Sequence, residues 1–67
     1  MSAAKTGSLC LVCRIEDFGA LKVLCFNDFG QPHIYSREND ATAELVALQL
    51  AEKHPGYIFK VIDGEML

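Results

Sequence analysis

Residues 16–30 read Glu-Asp-Phe-Gly-Ala-Leu-Lys-Val-Leu-Cys-Phe-Asn-Asp-Phe-Gly, so Asp-Phe-Gly occurs at 17–19 and again at 28–30, eleven residues on. In protein kinases this tripeptide binds metal beside a glycine-rich loop, a strand lysine and a catalytic loop. None of these accompanies it here, and 67 residues are too few for a two-lobed enzyme. Turn chemistry accounts for the repeat instead. A type I turn followed by a glycine in the left-handed region closes many hairpins. Glu16-Asp-Phe-Gly19 and Asn27-Asp-Phe-Gly30 both fit that template. They separate three apolar runs, Leu9 to Ile15, Ala20 to Phe26 and Gln31 to Ser36. Seven residues of strand plus four of turn give the eleven-residue repeat, which predicts a three-stranded β-meander.

Beyond the meander, Ala41 to Lys53 is rich in alanine and leucine, Asn39 or Asp40 can cap its first amides, and Pro55-Gly56 stops it. Tyr57 to Ile62 then alternates as a last strand. The expected fold is α+β, in the order β-β-β-α-β, with the helix packed on one face of a small, mostly antiparallel sheet. A right-handed crossover through the helix brings the fourth strand in parallel, beside the first. Residues 1–8 read as a flexible N-terminal arm and residues 9–67 as a single domain.

If residues 16 and 20 flank the first loop and 27 and 31 the second, the pleat sorts the side chains. Leu9, Leu11, Cys13, Ile15, Leu21, Val23, Cys25, His33 and Tyr35 fall on the face predicted to lie under the helix. Val12, Leu24, Phe26 and Ile34 fall on the other, which a single helix leaves open. On the helix, Ala43, Val46, Ala47, Leu50 and Ala51 form the stripe facing the sheet, and Leu45 and Leu48 point away beside Glu44 and Glu52. Two outward leucines and a bare apolar sheet face exceed what a small monomer usually shows. The candidate partner-binding residues are therefore Glu44, Leu45, Leu48, Glu52, Val12, Leu24, Phe26 and Ile34, serving a host protein or a second copy in a homodimer. Coverage by the N-terminal arm or by Met66-Leu67 is the competing explanation.

Chemistry-bearing residues are few. Cys10-Leu-Val-Cys13 has redox-pair spacing, but residues three apart on a strand face opposite sides. Cys13, Cys25 and His33 share the predicted inner face and form the alternative reading, a small metal- or thiol-dependent protein. Buried thiols and a hydrogen-bonded histidine explain the same residues, so no metal, cofactor or catalytic residue is assigned. The net charge of −3 with no Lys/Arg cluster disfavours nucleic acid. No apolar run approaches membrane-span length and no signal-peptide core is present, which points to no membrane contact and a cytoplasmic location.

Ala47-Leu-Gln-Leu-Ala-Glu52, Pro55-Gly56 and Phe59, with Thr6-Gly-Ser-Leu9 after a Met-Ser start, resemble the small inhibitors that T7-like phages direct against host RNA polymerase. The likeness covers about a third of the chain. It implies a small antiparallel sheet with one helix, and inhibition by occupying a surface of a host complex in the bacterial cytoplasm. The family's contact surface uses basic residues on the last strand, where this chain has only Lys60 before the acidic Asp63. The meander has no counterpart in the family. The function expected is that of a small non-enzymatic protein-binding module, a phage or prophage inhibitor. A structural subunit of a larger particle is a further alternative.

Overall fold

The computed structural model describes residues 9–64. They form β1 (Leu9–Glu16), β2 (Leu21–Leu24), β3 (Ile34–Ser36), α1 (Asp40–Lys53) and β4 (Ile58–Asp63). The α+β class and the element order match the expectation. The predicted arm at 1–8 and the apolar end Met66-Leu67 lie outside the described residues.

Leu9–Glu16 is the longest strand, with apolar side chains on both faces, and it takes the centre of the sheet. β4 runs along one edge of it, antiparallel, from Cys10↔Asp63 to Ile15↔Ile58. In direction β4 matches β3, as a crossover through the helix requires. The other edge of β1 departs from a meander: β3 pairs with β1 (Leu9↔Ser36 to Leu11↔Ile34) and not with β2. Because β2 uses only Cys13 to Glu16, the rest of that edge is left for β3. β2 and β3 thus lie end to end along β1.

Between them residues 25–33 leave the sheet through a closed neck. Cys25 N donates to Val12 O at 3.0 Å, Val12 N donates to His33 O at 3.1 Å, and His33 N donates to Cys25 O at 3.0 Å. Beyond the neck a single antiparallel bridge, Phe26↔Pro32, carries the second Asp-Phe-Gly turn. This turn emerges opposite the middle of β1, not at an end of the sheet. It has the predicted backbone: Gly30 N donates to Asn27 O at 3.0 Å, and Gly30 (φ 78) alone in it has a positive φ.

The first turn does not match the template. Asp17 (φ 55), Phe18 (φ 59) and Gly19 (φ 94) are all left-handed, and Ala20 N donates to Asp17 O at 3.1 Å, the mirror-image type I′ arrangement. The strands resume with Glu16 opposite Leu21, one residue later than expected. A slip of one residue moves a whole strand's side chains to the other face. Leu9, Leu11, Cys13 and Ile15 therefore face away from the helix, while Cys10 and Val12 form the core with Ala43 and Ala47. Cys25, Tyr35, Val46, Leu50, Phe59 and Val61 complete it. Val12, expected on the open face, is 0% exposed. Burying such a side chain contributes about 1.5–3 kcal/mol.

The helix buries its predicted stripe, and the two alanines let it approach the sheet closely. Its start differs from the expected cap. Asn39 occupies the N-cap, but its side chain makes no cap bond and donates to Ser36 Oγ at 3.0 Å. A 3₁₀ turn at Arg37–Asn39 leads into the helix instead. At the far end His54 N donates to Leu50 O at 2.8 Å before Pro55-Gly56. An Arg37–Asp63 ion pair ties the helix approach to the end of β4.

Candidate functional site

With the register known, the uncovered sheet face can be assembled row by row from the strand pairings. Ser36 and Leu9 form the first row, then Ile34, Leu11 and Ile62, then Leu24, Cys13 and Lys60, then Lys22, Ile15 and Ile58. Leu9 and Ile34 are exposed, and Ile58 is 59% exposed. Leu11 and Cys13, central in the sheet, are nonetheless buried. Leu11 packs close to Gly64, where an added Cβ would lie 3.3 Å from its Cδ1. The short Cys13 side chain sits between the longer Leu24 and Lys60. Among the described residues the face is thus a continuous run of apolar side chains with two cations and no carboxylate. Leu24 and Ile34 occupy it as expected, Val12 does not, and Leu9, Ile15, Ile58 and Ile62 join it. The β4 residues are signalled in the sequence by the alternation of Ile58, Lys60 and Ile62, whose face is fixed only once the pairing of β4 with β1 is known.

The second surface is the outer side of α1. Glu44, Leu45, Leu48 and Glu52 are all exposed, the leucines at 54% and 63%. At 100° per residue the four fall within one sector of about 100°, opposite the buried stripe.

Phe26, expected on the open face, lies past the neck, where it lines grooves shared with Leu50 of the helix. With Arg14, Val23, Cys25, Leu50, His54, Tyr57 and Phe59 it lines a groove of ≈ 300 Å³ at the C-terminal end of α1. The Arg14 guanidinium sits 4.8 Å from the Tyr57 ring centroid, and its Nε pairs with Glu16. Tyr57 meets Phe59 edge-on at 6.4 Å, so one end of the groove is an aromatic corner held by a cation. Phe18 and Phe29, at the two turn tips, are exposed and join the candidate contacts.

The thiols and His33 do not assemble into the expected constellation. Cys13 pairs with Leu24 on the open face, whereas Cys25 and His33 flank Val12 on the helix side. Among the described residues no group of three His, Cys, Asp or Glu side chains is placed to hold a metal ion. His33 Nδ1 shares a hydrogen bond with the Tyr35 hydroxyl at 3.2 Å. Cys25 lines the groove just described, while His33 lines a neighbouring one of ≈ 210 Å³ with Val46 and Lys53. Burial pushes both the Cys13 and Cys25 thiols up from their ordinary value. The proximity of Cys25 adds to the shift at Cys13, and Arg14 opposes it at Cys25. Thiols held protonated in this way are poor nucleophiles and poor metal ligands at neutral pH.

Among the described residues no helix is long and apolar enough to cross a membrane. No family model, no curated protein and no solved structure matches the chain.

Proposed function

We propose that this chain is a non-enzymatic protein-binding module that acts by occupying a surface of its partner. The observation that carries the reading is the sheet face that no described helix or strand covers, where Leu9, Ile34 and Ile58 are exposed around buried Leu11 and Cys13 and half-buried aliphatic side chains. Contiguous apolar surface of this kind on a small domain marks an interaction site more often than an idle one. The thiols support the same reading, since burial disfavours their reactive form. The finer proposal is a phage or prophage inhibitor working in the bacterial cytoplasm, with host RNA polymerase as one target. It rests on the resemblance of the helix, Pro55-Gly56 and Phe59 to the T7-like inhibitors. Among the described residues, the cations that the open face offers for such a contact are Lys22 and Lys60.

The test is affinity for a purified partner recovered on the tagged chain from bacterial lysate, with RNA polymerase assayed directly in transcription. Ile58→Glu and Leu24→Glu each place a carboxylate on the apolar face and should weaken binding by about ten-fold or more. Undiminished binding by both variants rules out the sheet face as the contact surface.

A further inference from the structure

The two uncovered surfaces are complementary to each other. Among the described residues, the open sheet face carries Lys22 and Lys60 among aliphatic side chains and no carboxylate, whereas the outer helix sector carries Glu44 and Glu52 around Leu45 and Leu48. Among the described residues, the ion pairs Arg14–Glu16 and Arg37–Asp63 involve none of these four charges. Spacing agrees as well. Lys22 and Lys60 lie on the two strands flanking β1 and one same-face row apart, opposite Ile15 and Cys13. Two strand spacings of ~4.8 Å and one two-residue step of ~6.7 Å put their Cα atoms about 12 Å apart. Glu44 and Glu52 are eight residues apart on α1, and ~1.5 Å of rise per residue gives about 12 Å along the helix axis.

We propose that the outer face of α1 in one copy seats on the open sheet face of a second copy, head to tail. This rests on reading the sheet face as a contact surface and names its occupant. In that arrangement Glu44 and Glu52 meet Lys22 and Lys60, and Leu45 and Leu48 lie on the aliphatic rows between them. The sheet then has a helix on each side, its own on Val12 and its neighbour's on the exposed Leu9, Ile34 and Ile58. The symmetric alternatives lack this pairing. Among the described residues, sheet against sheet brings together two surfaces carrying only positive charges, and helix against helix two carrying only negative ones. Because the contact joins different surfaces, a joined pair keeps one free sheet face and one free helix face, and association proceeds to a ring or an open filament.

Sedimentation mass from low micromolar to millimolar concentration tests it. The wild type should rise above the monomer mass of 7.4 kDa with concentration. Lys22→Glu/Lys60→Glu and Glu44→Lys/Glu52→Lys should each weaken association about ten-fold or more, since like charges then face each other. An equimolar mixture of the two variants should regain it, because each reversed surface now has an opposite partner. This recovery also shows that both variants are folded. A wild type that remains at the monomer mass throughout overturns self-assembly, and the contact-face reading is then judged separately by loss of the partner with Ile58→Glu. If the helix variant assembles like wild type while the sheet variant does not, or if the mixture stays dissociated, head-to-tail docking is overturned.

Discussion

Phe18 and Phe29 hold the same place in the same tripeptide, both fully in solvent, yet Phe18 has a φ of 59° and Phe29 has a negative one. The difference originates one residue upstream of the tripeptide. Before the second turn stands Asn27, whose Oδ1 accepts from Phe29 N at 2.8 Å and Gln31 N at 2.9 Å, pinning the right-handed turn that glycine then exits. Before the first stands Glu16, whose carboxylate is engaged with Arg14 on the strand and makes no bond to the turn. Without a side-chain clasp, the backbone there follows the twist of the two flanking strands, which favours the mirror-image turn even at the cost of left-handed Asp17 and Phe18. Identical triplets therefore give different turns.

The largest way to break this contrast is to remove the clasp. Asn27→Ala should lower stability to urea by about 1–2 kcal/mol through the two lost bonds, while Glu16→Ala, which removes only a partly exposed ion pair, should cost less than about 1 kcal/mol. Equal losses would mean that the clasp does not set the second turn. A smaller effect of opposite sign is expected at the phenylalanines. Phe18→Asn relieves a left-handed aromatic residue and should raise the urea midpoint by about 0.5–1 kcal/mol equivalent, whereas Phe29→Asn should be neutral within about 0.5 kcal/mol. If Phe29→Asn gives the larger gain, the strain has been assigned to the wrong turn.

The smallest effect is one of pH, and it separates the neck of the second loop from the thiol-free first turn. The Cys13 and Cys25 thiols titrate higher in the folded chain than their ordinary value of 9.0. Folding thus retains protons that the unfolded chain releases. Their stabilising contribution is complete below that value and is lost as pH climbs from it toward the raised native values. The wild-type urea midpoint should consequently fall more steeply above pH 9 than that of Cys13→Ala/Cys25→Ala. Parallel curves for the two proteins would contradict the assignment.

Much of the architecture was legible in the sequence because it depends on local chemistry. The helix between Asn39 and Pro55, its Ala43/Ala47 stripe, the second turn and the outward Glu44, Leu45, Leu48 and Glu52 all follow from propensity and periodicity within one element. The pairing of β3 and the facing of β1 did not. Leu9-Cys-Leu-Val-Cys is apolar at odd and even positions alike, so its pattern accepts either face. The decision passed to the length of the first loop, where one residue separates a partner at position 20 from Leu21. That residue moved Val12 from the candidate site into the core and separated Cys13 from Cys25 and His33. It left Leu24 and Ile34 where expected, because their strands kept their faces.

The closed neck at Cys25 and His33 has a consequence for how the chain can vary. Leu24 opposes Cys13 and Ile34 opposes Leu11, so β1 has only Val12 to offer in the gap, while the opposing chain supplies residues 25–33. All but one of those residues are surplus to the ladder. They amount to an insertion within what would otherwise be one uninterrupted strand, sealed at its base by three backbone bonds. Length and composition from Phe26 to Pro32 are thereby uncoupled from the sheet register, making this the natural place for the chain to accept new sequence while the open sheet face and the outer face of α1 stay fixed.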